Sequence, residues 1–351
     1  MSRRVARVAA AVAVGLLLVG SAAEAAVTQP PQPRHGPGGS DYSNAGVRVS
    51  SGGEGPDAWY AFEPTNPRPK RAPLSVITHG YYEFAGYGSK QALIEHTVRT
   101  GSVVIYPRWQ TNIATPCPGP VDIEPCMASE VAGIKGALAY LRTPGHVRPQ
   151  VAKTSYFGFS FGGIITANLA NRWRELGVPK PRVVFLDDPH DGGLTGADEP
   201  ALDDDLGGIP SSALVQCHSG SQGVIAGTTQ QGESLANGSC NAVFPKLTSV
   251  PARNKDLVMT RPDGHGEPAL TSAHGVCAAR TDPSTGLLNP PNAYDWGFCW
   301  KVWDAMRACA LEGRWCNYAL GDTRRHRTIG TWSDGTPITP LTVQDAVPLR
   351  P

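Results

Sequence analysis

From about residue 45 onward, short apolar runs alternate with stretches of helical period, and this alternation restricts the architecture more than any other feature of the chain. Leu74 to Thr78, Val103 to Tyr106, Thr154 to Phe157, Val183 to Leu186, Ala213 to Gln216 and Leu257 to Thr260 are mostly apolar on both faces and are bounded by Gly or Pro. Strands with no polar face belong to a sheet covered on both sides. Between them, residues 89–100, 128–141 and 162–176 place apolar side chains three and four apart, as in Val131, Ile134, Leu138 and Leu141. Strand, helix, strand in succession implies right-handed crossovers and a doubly wound, mostly parallel α/β sheet with helices on both faces. No internal repeat interrupts the pattern, and residues 45–351 are expected to form one domain.

The flanks read differently. Arg3, Arg4 and Arg7 precede the apolar run Val8 to Val19, and Ala23-Glu24-Ala25 supplies small residues at cleavage positions, the pattern of a secretory signal peptide over residues 1–25. Residues 26–44, with Pro30, Pro31, Pro33 and Pro37 beside Gly36, Gly38 and Gly39, are expected to be an extended linker contributing nothing to the core. Near the C-terminus, Trp296, Trp300, Trp303 and Trp315 surround an expected helix over 300–311, read as packing on the sheet.

With 31 Lys and Arg against 30 Asp and Glu, the charge balance lacks the basic surplus of a nucleic-acid protein. No later segment is long and apolar enough to insert stably in a membrane. The chain is expected to be secreted and soluble, and its oligomeric state is left open. An even set of eight cysteines in an exported chain favours disulfides, and proximity suggests Cys117 with Cys126, Cys217 with Cys240, Cys277 with Cys299, and Cys309 with Cys316. None of the spacings suits structural zinc, and no metal or cofactor is expected.

The stretch Gly158-Phe159-Ser160-Phe161-Gly162-Gly163 lies between an expected strand and an expected helix. A serine on such a sharp turn is pushed into an exposed, strained position, and glycines are needed around it because side chains would collide across the turn. The helix N-terminus below also places N–H groups where negative charge would develop.

With these residues the chain resembles the α/β-hydrolase superfamily over roughly residues 47–345. His79-Gly80-Tyr81-Tyr82, after the strand 74–78, stands where those enzymes carry their oxyanion loop. The resemblance implies a serine hydrolase, with Ser160 as nucleophile and the backbone N–H groups of Tyr81 (or Tyr82) and Phe161 holding the oxyanion. His79 precedes the nucleophile, against the usual order of Ser, acid, His. The expected base is His265, five residues past the strand ending at Thr260 in a Gly-flanked loop. His274 is the rival, placed in the more helical run 269–279.

No carboxylate follows the run ending at Gln216, but the preceding one ends in Asp187-Asp188-Pro189. In this the chain is similar to chlorophyllases and platelet-activating-factor acetylhydrolases, which implies Asp188 as the acid. Asp187 should point to the opposite face, Asp191 and Asp263 are further candidates, and Asp203 to Asp205 read as an exposed acidic loop. Tyr82, Phe84 and Phe159 are expected to line a substrate site for an apolar or aromatic ester, small, lipid or polymeric, while Trp109 reads as core. Acyl transfer or peptide hydrolysis on the same residues is the alternative chemistry, and a binding protein that kept the fold is the non-enzymatic one.

Overall fold

A computed structural model describes residues 26–117, 123–190, 202–222, 240–279 and 290–344. The expected signal peptide, Asp191 and the last seven residues lie outside these.

Nine strands form one sheet: β1 (Gly46–Gly52), β2 (Trp59–Thr65), β3 (Arg71–Thr78), β4 (Val103–Pro107), β5 (Arg148–Phe159), β6 (Pro181–Asp187), β7 (Leu214–Gly220), β8 (Lys255–Thr260) and β9 (Thr342–Gln344). Their order is β1-β2-β4-β3-β5-β6-β7-β8-β9. From β4 to β8 all pairings are parallel, whereas β1 on β2, β2 on β4 and β9 on β8 are antiparallel. The six apolar runs of the sequence are the six parallel strands. β1, β2 and β9 escape a search for continuously apolar runs, and the two outermost, β1 and β9, are only partly buried, as expected at solvated edges.

The helices are α1 (Gln91–Arg99), α2 (Glu124–Leu141), α3 (Phe161–Asn171), α4 (Trp173–Leu176), α5 (Cys240–Lys246) and α6 (Trp300–Glu312), with short turns after α6. One apolar layer joins Val131 and Ile134 of α2 and Ile164 and Leu169 of α3 to Leu74, Val76 and Tyr156 of the sheet. The opposite layer joins Leu93 and Ile94 of α1 and Trp303 and Met306 of α6 to Ile77, Phe157 and Phe185. The alternate residues of one strand thus serve two cores, which is why the strands have no polar face.

After β3 the chain crosses by α1 to β4 on one side, then by α2 to β5 on the other. Right-handed crossovers in opposite directions put their helices on opposite faces, and the reversal opens a crevice at the C-terminal ends of β3 and β5, where open sheets of this kind bind ligands.

All four disulfides join the cysteine pairs given by sequence proximity, as suits an oxidising compartment. Among the described residues no helix is long and apolar enough to cross a membrane. The Pro/Gly segment differs from expectation. It is strapped to the body: Thr28 bridges Glu267, Gln29 donates to the carbonyl of Pro268 (2.6 Å), and the Gly38 N–H donates to the buried Asp304 carboxylate (2.9 Å). A Cβ on Gly38 would lie 2.2 Å from the Trp296 carbonyl oxygen, so only glycine allows this close approach.

Candidate functional site

β5 ends at Phe159 and α3 begins at Phe161, so Ser160 is the entire connection. Its φ of 55° and ψ of −128° are costly for a residue with a Cβ. Hydrogen bonds hold it there: its N–H donates to the Asp187 carbonyl (2.9 Å), and its carbonyl accepts from the N–H groups of Gly163 (2.8 Å) and His190 (3.1 Å). A Cβ on Gly158 would lie 2.3 Å from the Gly162 carbonyl oxygen, and one on Gly162 only 2.1 Å from that of His79. The glycines around Ser160 are therefore steric requirements of the turn. Ser160 is left at the C-terminal edge of the sheet, at the N-terminus of α3.

The chain leaving β3 passes beside this serine, since a Cβ on Gly80 would come within 3.1 Å of Ser160 Cβ. Residues 80–83 form a turn in which Glu83 N–H donates to Gly80 O (3.1 Å) and Gly80 N–H donates to Glu83 Oε2 (2.8 Å). The buried Lys90 ammonium lies 3.2 Å from Glu83 Oε1 and 3.6 Å from the centroid of the Phe159 ring. Tyr81 meets Phe161 edge-on, ring centroids 5.6 Å apart, and its hydroxyl donates to the Ile113 carbonyl. Tyr82, next to that bond in the chain, and Ile113, its acceptor, are 63% and 54% exposed, a lip of apolar surface beside Tyr81. Phe84 is half-buried, with its carbonyl accepting from Arg108 (2.9 Å), and Trp109 is core. Phe159 is buried between Lys90 and the His274 ring, whose centroid is 4.7 Å away. It therefore packs against the site from below. His79 is stacked between Tyr106 and Trp109, and its two ring nitrogens face the carbonyls of Gly80 (2.8 Å) and Arg108 (2.6 Å), so it has no nitrogen to serve a nucleophile.

Asp188 follows β6 with φ 44° and is buried. Its N–H donates to the His218 carbonyl (2.9 Å), and its Oδ1 accepts from the N–H of Gly220 (2.7 Å) at the end of β7. Its Oδ2 faces His274 Nδ1 at 3.9 Å, and neither of these buried atoms has a hydrogen-bond partner among the described residues. The expected base His265 lies elsewhere: its Nε2 is 2.7 Å from Asp334 Oδ2, in an exposed pair beside Trp332. The reason is a chain reversal after β8. Asp263 and Leu270 exchange backbone hydrogen bonds of 2.9 and 2.8 Å, so residues 263–270 form a closed excursion with His265 near its tip. The chain returns at Leu270 and brings His274 back to the sheet edge in turns rather than the helix its composition suggests. Asp263 is used within the excursion, accepting from the N–H groups of His265 (3.0 Å) and Thr339 (2.7 Å).

Burial pushes the Asp188 carboxyl up to about 6, with His218 opposing and the neighbouring Asp187 adding to the shift. Burial, aided by His190 and Lys90, pushes the His274 imidazole down to about 3. At neutral pH the pair is thus an ionised carboxylate facing an uncharged imidazole, the resting state from which an imidazole can take a proton and then be stabilised by its partner. A groove of about 580 Å³ adjoins His274, walled on one side by Thr28 and Gln29 of the strap.

Sequence reasoning missed the buried Glu83–Lys90 pair and the carboxylate–imidazole pair of Asp187 and His218, whose Nδ1 and Oδ1 are 2.7 Å apart. β6 ends at Asp187 and Asp188 turns off it with a positive φ, so the two carboxylates part by their partners, Asp187 on His218 Nδ1 and Asp188 on the Gly220 N–H. With Cys277 the second pair superficially resembles a metal-ligand set. That sulfur is bonded to Cys299, and His218 Nε2 is engaged with Thr260 Oγ1 (3.0 Å), so the group does not fit a metal. Neither a protein-family model nor a curated protein matches this chain.

Proposed function

We propose that the protein is an exported serine hydrolase of the α/β-hydrolase type that cleaves carboxylic esters through an acyl-enzyme. The observation that carries this reading is the strained backbone at Ser160, on a strand-to-helix turn, beside a buried carboxylate and an imidazole that face each other 3.9 Å apart. In the proposed mechanism His274 takes the Ser160 proton as Oγ attacks the ester carbon, and the ionised Asp188 orients and stabilises the resulting imidazolium. The N–H of Phe161 and that of Tyr81 receive the oxyanion, each such donor contributing about 10²- to 10³-fold in rate. His274 returns the proton to the leaving alkoxide, and water repeats the sequence to release the acid. The lip of Tyr82 and Ile113 supports an apolar acyl or alcohol group, and export is supported by the four disulfides and the N-terminal pattern.

The test is covalent labelling of the mature protein with a fluorophosphonate, alongside turnover of p-nitrophenyl esters of graded chain length. Labelling and turnover are expected in the wild type and absent in Ser160→Ala. An unlabelled, folded wild type would sink the proposal.

A further inference from the structure

Beside the Asp188–His274 pair runs a second, fully buried chain of side chains that no step of the proposed reaction uses. Asp187 Oδ1 lies 2.7 Å from His218 Nδ1, His218 Nε2 3.0 Å from Thr260 Oγ1, Thr260 Oγ1 2.7 Å from Ser272 Oγ, and the Ser221 N–H donates to Ser272 Oγ at 3.1 Å. One ordering of protons gives every link a donor and an acceptor. Ser221 N–H donates to Ser272, Ser272 to Thr260, Thr260 to His218 Nε2, and His218 Nδ1–H to the Asp187 carboxylate. The chain looks like another triad ending in Thr260, but Thr260 and His218 have no exposed surface, so no substrate reaches them.

Its position is informative. It joins the ends of β6, β7 and β8 to Ser272, two residues before His274. Ser272 is further held by its N–H donating to Gln222 Oε1 (2.6 Å) and its carbonyl accepting from Gln222 N–H (3.0 Å). The same stretch of β7 grips the acid, through the His218 carbonyl on Asp188 N–H and the Gly220 N–H on Asp188 Oδ1. Acid and base loop are therefore referred to one piece of backbone. We propose that Asp187, His218, Thr260 and Ser272 form a positioning relay that holds the 270–275 segment so that His274 meets Asp188. The proposal rests on reading Ser160, His274 and Asp188 as the reacting set.

The relay also carries charge. Asp188 is faced by Asp187 from its own strand end, by His218 and the Gly220 N–H from β7, and by His274 and the Gly275 N–H from the loop after β8. His274 is faced in turn by His190, Lys90 and Glu83. Asp187 is the carboxylate among the groups facing Asp188, so removing its charge while keeping its hydrogen bond should make Asp188 easier to ionise.

Kinetics of p-nitrophenyl ester hydrolysis in three variants test this, with thermal midpoints measured in parallel. Thr260→Val, which keeps the shape and removes the hydroxyl, is expected to lower kcat by about 10- to 100-fold with KM nearly unchanged, the signature of a misplaced catalytic group. Thr260→Ser should restore most of the loss, and Asp187→Asn should move the acid limb of kcat/KM to lower pH. If Thr260→Val does not fold, Ser272→Ala breaks the same chain and carries the same expectation. Wild-type kcat in the hydroxyl-less variant overturns the relay, as does an acid limb unmoved by Asp187→Asn. Because the wild type is labelled by fluorophosphonate or not regardless of these variants, failure of the relay is distinguishable from failure of the hydrolase reading.

Discussion

The two histidines after β8 differ in what surrounds them, and that difference is measurable. His265 is an exposed side chain paired with Asp334, and surface ion pairs of this kind contribute little. His274 is sheltered and faces a buried carboxylate. His274→Ala should abolish ester turnover and fluorophosphonate labelling, whereas His265→Ala should leave both within about twofold of wild type. The pH profile follows from the same site. With the imidazole held near 3 and the carboxylate near 6, the member of the pair that titrates in the working range is Asp188. Activity should rise with pH through about 6 as the carboxylate ionises and then level off, an acid limb that kcat/KM measured between pH 4 and 8 would show. Asp188→Asn keeps the shape but removes the charge, and the expected loss is on the order of 10⁴-fold. The sequence offered both histidines and both adjacent aspartates. The end of β6 at Asp187 gives the two aspartates different partners, and nothing in the sequence between 261 and 279 reveals that Asp263 and Leu270 pair and throw His265 outward.

Among the elements, β5 and α3 meet with no slack around Ser160. A methyl group at 162 would stand 2.1 Å from a backbone oxygen, which cannot move without displacing β3. Gly162→Ala should therefore cost at least the roughly 1–3 kcal/mol typical of overpacking, together with loss of labelling, read by denaturant unfolding and by the probe. On the same face of the sheet, α2 carries Glu130, fully buried with Thr78 Oγ1 donating to it at 2.7 Å. Burial pushes this carboxyl up to about 8. The folded state then keeps a proton that the unfolded chain loses near 4.5, so stability falls as pH rises from about 4.5 to 8, by at most about 1.4 kcal/mol per unit, and flattens above. Glu130→Gln should remove that slope while keeping an acceptor for Thr78, and thermal midpoints between pH 5 and 9 would show it. The glycines could be read from the sequence because a strand-to-helix turn around a serine demands them. Glu130 could not, since a lone glutamate in an amphipathic helix reads as solvent-facing until the sheet closes over it.

At the scale of the whole molecule, the disulfides fasten segments around the site. Cys277–Cys299, 22 positions apart in sequence, ties the chain just after His274 to the helical segment leading into α6. Replacing both with serine should cost about 3 kcal/mol through the unfolded chain's regained freedom and lower the thermal midpoint by several degrees. The strap over residues 26–44 closes the other flank: Tyr42 hydroxyl is 3.1 Å from His96 Nδ1, His96 Nε2 is 2.8 Å from Asp304, and His96 stacks on Trp300. Its proline and glycine content signals extended backbone correctly. That the extended backbone is bonded to the body follows from partners more than 200 residues away, such as Pro268 and Asp304.

By itself the sequence determined the parallel strands, the helices between them, the cysteine partners and the strained serine turn. Each is encoded locally: apolar periodicity, short separations and steric need for glycine act within a few tens of residues. The tertiary structure alone decided which histidine faces Asp188, which carboxylates are buried, and that Asp187, His218, Thr260 and Ser272 form one chain. Those outcomes depend on side chains brought together from the ends of different strands, where register and loop closure set the distances and burial sets the charge states.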